Sequence, residues 1–211
     1  MPEGVTAFSE VQGRYPDQEE LLAVPEENLL DWIDAEYLRH DPYAFEGHDF
    51  RKVARSAAGL LDVDPNGIYC LGSGAVGLSL NPAKIQADGS LKRFDSESDL
   101  DLAVISSHYF DLAWRDLRRA SQPTLNALDK DFRDRLSHQR KRLFDGAVLA
   151  DKVMPMLTFR ESWHRALGQL SQQIAITLDR NVPVHVWIYR DYWGVRNYVS
   201  EGILKCRKGL A

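Results

Sequence analysis

Cysteine is nearly absent: Cys70 and Cys206 are the only two in 211 residues, with no spacing that would suit a disulfide framework or a cysteine metal site. A small secreted scaffold and a zinc-finger module are therefore excluded, and a reducing, cytoplasmic setting is expected. Long apolar runs are missing too. The longest, Ile68 to Leu80, is interrupted by glycines and serines and is too short for the ~20 apolar residues of a membrane span, so no membrane partner is expected. No basic-then-apolar leader opens the chain, and no repeat or low-complexity linker divides it. Basic residues are scarce in one region only. Residues 1–50 hold 13 Asp and Glu against Arg14 and Arg39, a local charge of -11 in a chain whose net charge is -5. The remainder carries +6, a field that favours phosphate-bearing ligands. The acidic region is expected either to fold back over that field or to bind a partner.

With 44% hydrophobic and 27% charged residues, the chain can bury a sizeable core. The expectation is a single domain over 1–211 with an acidic helical N-terminal region, 1–50. Apolar residues recur at helical spacing in Glu26–Arg39 (Leu29, Ile33, Tyr37), Phe50–Leu61 (Val53, Ala57, Leu61), Tyr109–Arg119 (Phe110, Trp114, Leu117) and Thr124–Leu143 (Leu125, Leu128, Phe132, Leu136). Further helices are expected at Arg160–Leu178 and Asp191–Lys205. Strand patterns fall on the apolar run at Tyr69-Cys70-Leu71, at Ser98–Ile105 and at Pro183–Tyr189. The sum is an α/β (α+β) fold, a small mixed sheet flanked by helices.

Two stretches carry chemistry. Tyr69-Cys70-Leu71-Gly72-Ser73-Gly74 is an apolar run ending in a Gly-Ser turn, and Ser98-Asp99-Leu100-Asp101-Leu102-Ala103-Val104-Ile105 opens a second apolar run with two aspartates. Alternation along a strand puts Asp99 and Asp101 on one face. Facing carboxylates repel unless a proton or cation lies between them, and Mg2+, which takes a few carboxylates plus water and substrate phosphates, is the simplest resolution. Asp-x-Asp also occurs as plain turn capping, so the upstream Gly-Ser turn matters. Gly72-Ser73-Gly74-Ala75-Val76-Gly77 fits a dinucleotide fingerprint, but Pro82 and the Asp88-Gly89 turn leave no room for the long helix that follows one. As a phosphate loop it has Leu78 where a lysine is needed.

The Gly72-Ser73 turn with Asp99-x-Asp101 resembles the active-site signature of the nucleotidyltransferase superfamily, which includes DNA polymerase beta, CCA-adding enzymes and the minimal nucleotidyltransferases of bacterial toxin–antitoxin and anti-phage systems. The resemblance covers residues 67–105 well and the rest in outline. It implies a polymerase beta-like core and transfer of a nucleoside monophosphate from a nucleoside triphosphate to a hydroxyl on RNA, a nucleotide or a protein. Gly72 and Ser73 would then hold the triphosphate, and Asp99 and Asp101 would hold Mg2+. Lys84, Lys92 and Arg93 can add charge to the triphosphate, although each also reads as an ordinary surface cation. The same folds serve as antitoxins, so a catalytically inactive protein that binds a cognate partner is the alternative.

The chain departs from the family in two places. Ser73 and Asp99 are 26 positions apart, more than is usual, and the excess reads as an inserted hairpin turning at Asp88-Gly89. The strand at 183–189 also lacks the family's third acid. His185 or Trp187 takes that face, so His185 becomes either a ligand that favours Mn2+ over Mg2+, or the general base. Packing is its plainer reading. Glu97 and Asp191 are the substitute acids. Two basic features remain: Arg133, Arg135, Arg140, Lys141 and Arg142 on one helix, and Lys205, Arg207 and Lys208 near the C-terminus. They are either solvated or an acceptor-binding surface.

Overall fold

A computed structural model describes residues 15–122 and 130–210. A four-stranded mixed sheet lies at its centre, in the order β1 (Ile68–Leu71), β2 (Leu100–Ile105), β4 (Val184–Tyr189), β3 (Ala147–Leu149). The pairing is antiparallel between β1 and β2, parallel between β2 and β4, and antiparallel between β3 and β4. Parallel neighbours need a long crossover. Helices α5 (Ser107–Ala120), α6 (Lys130–Phe144), α7 (Ala150–Val153) and α8 (Arg160–Thr177) lie along it.

Strand alternation sorts the core into two layers. Ile68, Cys70, Leu100, Leu102, Val104, Val186 and Ile188 face one side and pack with α3 (Phe50–Leu61), α5 and α8. Leu71, Ala103, Trp187 and Tyr189 face the other side. There the N-terminal segment and α9 (Tyr192–Leu210) cover the sheet. Because both faces are covered, the strands read as nearly continuous apolar runs.

α3 matches its sequence pattern. Asp49 caps it by accepting the Arg51 N–H at 3.0 Å, and its stripe of Val53, Ala57 and Leu61 is buried. Leu29, Ile33 and Tyr37 are buried as expected. Their helix, however, changes pitch, from a 3₁₀ turn (Glu26–Asn28) through α2 (Leu29–Trp32) to a π turn (Ile33–Tyr37), and stops short of Arg39. Arg39 instead forks onto Asp41 at 2.7 and 2.8 Å. α1 (Gln18–Ala23) precedes them, closed by a capping box of Asp17 and Glu20.

The described part of the acidic region folds back. Leu21 is fully buried against the second layer, Asp34 pairs with Arg196 at 3.0 Å, and Arg207 donates to the carbonyls of Leu21 and Val24. Residues 1–14 lie outside the described residues.

Several expectations are corrected. Trp114 is not part of the α5 stripe: it is 42% exposed beneath the Arg118 guanidinium, and Ala113 takes the inward position. The expected helix from Thr124 is described only from Lys130, with Leu125 and Leu128 outside the described residues. α9 continues to Leu210, beyond Lys205. β3 has no counterpart in the sequence reading. The Asp88-Gly89 insertion does turn back on itself, but through two isolated bridges, Ile85–Leu91 and Leu78–Arg93, rather than through strands.

Candidate functional site

β1 is followed by Gly72, whose φ of 63° and ψ of -148° only glycine adopts readily. A β-carbon placed there would lie 3.0 Å from Oδ2 of Asp101. The turn therefore passes close to that carboxylate because it has no side chain. Tyr37 holds it from the other side by donating its hydroxyl to the Gly72 carbonyl at 3.3 Å. Ser73 opens α4 (Ser73–Val76), which stops at Gly77, so the long helix of a dinucleotide fold is absent here.

Asp99 lies immediately before β2, and Asp101 lies within it, opposite Leu71. Their environments differ. Asp99 is about half exposed, whereas Asp101 is sheltered and accepts the Trp187 indole N–H at 3.4 Å. Burial pushes the Asp101 carboxyl above the usual carboxylate range, and the charge of Asp99 adds to that push. The Trp187 hydrogen bond, His185 and Lys84 work against it without cancelling it.

Asp99, Asp101, Gly72 and Ser73 all line one cavity of about 710 Å³. Lys84 and Lys92 reach it from the inserted loop, Lys141 and Arg142 from α6, and Lys205 from α9. Arg142 stacks over Trp187, 4.6 Å from the ring centre, and Tyr198 packs against the same ring at 5.0 Å. Arg93 does not line this cavity. It faces a neighbouring, more open depression of about 540 Å³, which it shares with Lys84 and Lys92.

His185 is the Cα partner of Asp101 in the parallel register, on the face expected for it. It does not line the cavity. Its Nδ1 lies 2.8 Å from Asp151 Oδ2, and its Nε2 lies 3.9 Å from Asp99 Oδ2. Asp151, in α7, is the acid that sequence reasoning missed. Its only signal was its place just after the short apolar triplet Ala147-Val148-Leu149, behind a Gly146 turn. The proposed substitutes serve elsewhere: Asp191 accepts the Gly194 N–H at 2.9 Å, and Glu97 is exposed in the loop before β2.

The basic features divide. Lys141, Arg142 and Lys205 face the cavity, while Arg133, Arg135 and Arg140 are exposed elsewhere on α6. Arg207 is tied into the fold by the carbonyls it caps.

Among the described residues no group of three His, Cys, Asp or Glu side chains is arranged to hold a metal. Two carboxylates beside a cation-lined cavity still suit a divalent ion that takes the rest of its shell from water and phosphate. No helix among the described residues is long and apolar enough to cross a membrane. Comparison with protein-family models, with curated proteins and with solved structures finds no match.

Proposed function

We propose that this chain is a metal-dependent nucleotidyltransferase that moves a nucleoside monophosphate from a nucleoside triphosphate to a hydroxyl acceptor. One observation carries the reading. The Gly72-Ser73 turn, the Asp99 and Asp101 carboxylates and the cations Lys84, Lys92, Lys141, Arg142 and Lys205 converge on a single cavity, although they come from distant parts of the chain. Carboxylates and ammonium groups around one cavity serve opposite needs. A triphosphate brings negative charge to the cations, and its metal brings positive charge to the acids.

Asp99 and Asp101 would hold Mg2+, which when bound lowers the pKa of the acceptor hydroxyl and screens the leaving pyrophosphate. The chain's own groups do the positioning. Backbone at Gly72 approaches the phosphates unobstructed, the Ser73 hydroxyl offers a hydrogen bond, and the lysines fix the β and γ phosphates. Arg142, set over the Trp187 ring, lines the same cavity. Trp187 in turn orients Asp101. Little covalent chemistry is left to the protein, so preorganised charge carries the rate.

The test is incubation with Mg2+ and each of the four labelled nucleoside triphosphates, scored for label on RNA, on protein or in new oligonucleotides. Label on one acceptor supports the reading. A second reading, a non-catalytic protein that binds a cognate partner, draws on the lack of a three-carboxylate group among the described residues. Absence of transfer with all four nucleotides, in Mg2+ and in Mn2+, would favour it.

A further inference from the structure

His185 is held in a way the transfer chemistry above leaves unused. Its Nδ1 is 2.8 Å from Asp151 Oδ2, and the same oxygen accepts the Val186 backbone N–H at 3.3 Å. With Nδ1 turned to that carboxylate, Nε2 is the ring nitrogen left to bind a metal ion. That nitrogen lies 3.9 Å from Asp99 Oδ2, beyond hydrogen-bond reach. Two metal bonds of about 2.1 Å can span at most about 4.2 Å, so one ion can touch both atoms. The side chains are 38% and 46% exposed, which leaves the gap open to ions from solution. A carboxylate behind a histidine is the arrangement that orients metal-binding imidazoles.

We propose that Asp99 Oδ2 and His185 Nε2 share a divalent cation of the first transition row, with Asp151 as the positioning residue that fixes the ring. The inference rests on Asp99 being a metal ligand. Mg2+ prefers an all-oxygen shell and gives up water reluctantly. An imidazole in the set favours transition ions instead, and Mn2+ accepts that nitrogen while keeping the water and phosphate oxygens that complete the shell.

Mn2+ is also paramagnetic and is the probe. The full chain, titrated with MnCl2 without nucleotide, is read by electron paramagnetic resonance, with spin-echo modulation reporting directly bonded nitrogen. The expected result is bound Mn2+ with coupling to one nitrogen, which changes isotope pattern when histidine is labelled with 15N. His185→Ala should remove the coupling and weaken binding about 10- to 100-fold. Asp151→Asn, whose carbonyl can still accept from Nδ1, should keep the coupling, and Asp151→Leu should lose it. Bound Mn2+ without nitrogen coupling in the unaltered protein overturns the proposal, whether or not any variant folds, and so does failure to bind Mn2+ at millimolar concentration. Oxygen-only coordination with transfer intact removes this site and leaves the transferase reading standing. Nitrogen coupling in a protein that transfers nothing upholds the site and removes the transferase reading.

Discussion

Burial sets Asp101 apart from its neighbour Asp99. Its carboxyl sits above the ordinary range, so the folded chain holds that proton to higher pH than the unfolded chain does. Stability therefore falls as pH rises through the window between the unfolded value, about 3.9, and the raised folded one, and the full cost is present above it. Without metal, Asp101→Asn should raise the melting temperature at pH 7 and lose that advantage as the pH approaches 4, as thermal unfolding at the two pH values would show. In the presence of Mg2+ both Asp99→Asn and Asp101→Asn should cut transfer by a thousandfold or more, roughly the several kcal/mol that a bound metal supplies. Unchanged turnover in either variant would remove the acids from the site. Gly72 offers a second test at this scale. A methyl group there meets Asp101 Oδ2 at 3.0 Å on a backbone that disfavours side chains, so Gly72→Ala should cost about 1–3 kcal/mol in urea unfolding and displace the carboxylate. Ser73→Ala should weaken nucleotide binding by only about 1 kcal/mol, the value of one hydrogen bond.

Among the long helices α6 has the least apolar hold, with Leu136 its one buried apolar residue beside the buried Gln139. Gln139 ties it to the sheet edge, donating to the Ala147 carbonyl at 2.9 Å and accepting the Leu149 N–H at 3.3 Å. Gln139→Ala leaves those two β3 groups without partners and should cost about 1–3 kcal/mol by chemical denaturation. Hydrogen exchange at Leu149 should rise with it. The stripes of α3 and of the 26–37 segment were legible because each buries residues at a regular helical interval over several turns. Asp101 was legible because β2 is long enough for alternation to set its face, and Asp99 and the Gly72 turn because each adjoins an end of an apolar strand. β3 was not, since three residues cannot establish a period. Asp151 was hidden for a related reason: it meets His185 across 34 positions of sequence, and nothing local announces the pairing. Trp114 was misplaced because Ala113, one step around the helix, fits the crowded interface where an indole would not.

For the whole molecule, the second layer of core is closed by the described N-terminal segment. Its Leu21, Leu29, Ile33 and Tyr37 are buried in that layer. Leu21→Ala should therefore behave as a core truncation and cost about 2–5 kcal/mol, measured as a lower urea midpoint with an unchanged slope. A change below about 0.5 kcal/mol would mean that this segment rests on the surface. The charge asymmetry of the sequence thus has a packing counterpart, with acidic Asp34 set against Arg196 and the carbonyls of Leu21 and Val24 against Arg207. The parallel pairing of β2 with β4 has a consequence in time. Asp101 and His185 meet only after the intervening crossover is complete, and Lys205 lies later still. A chain emerging from the ribosome N-terminus first displays its two aspartates long before the opposite wall of the cavity exists. If the cavity binds a triphosphate as proposed, a nascent chain lacks Lys141, Arg142 and Lys205 of that grip until α6 and then α9 have been made.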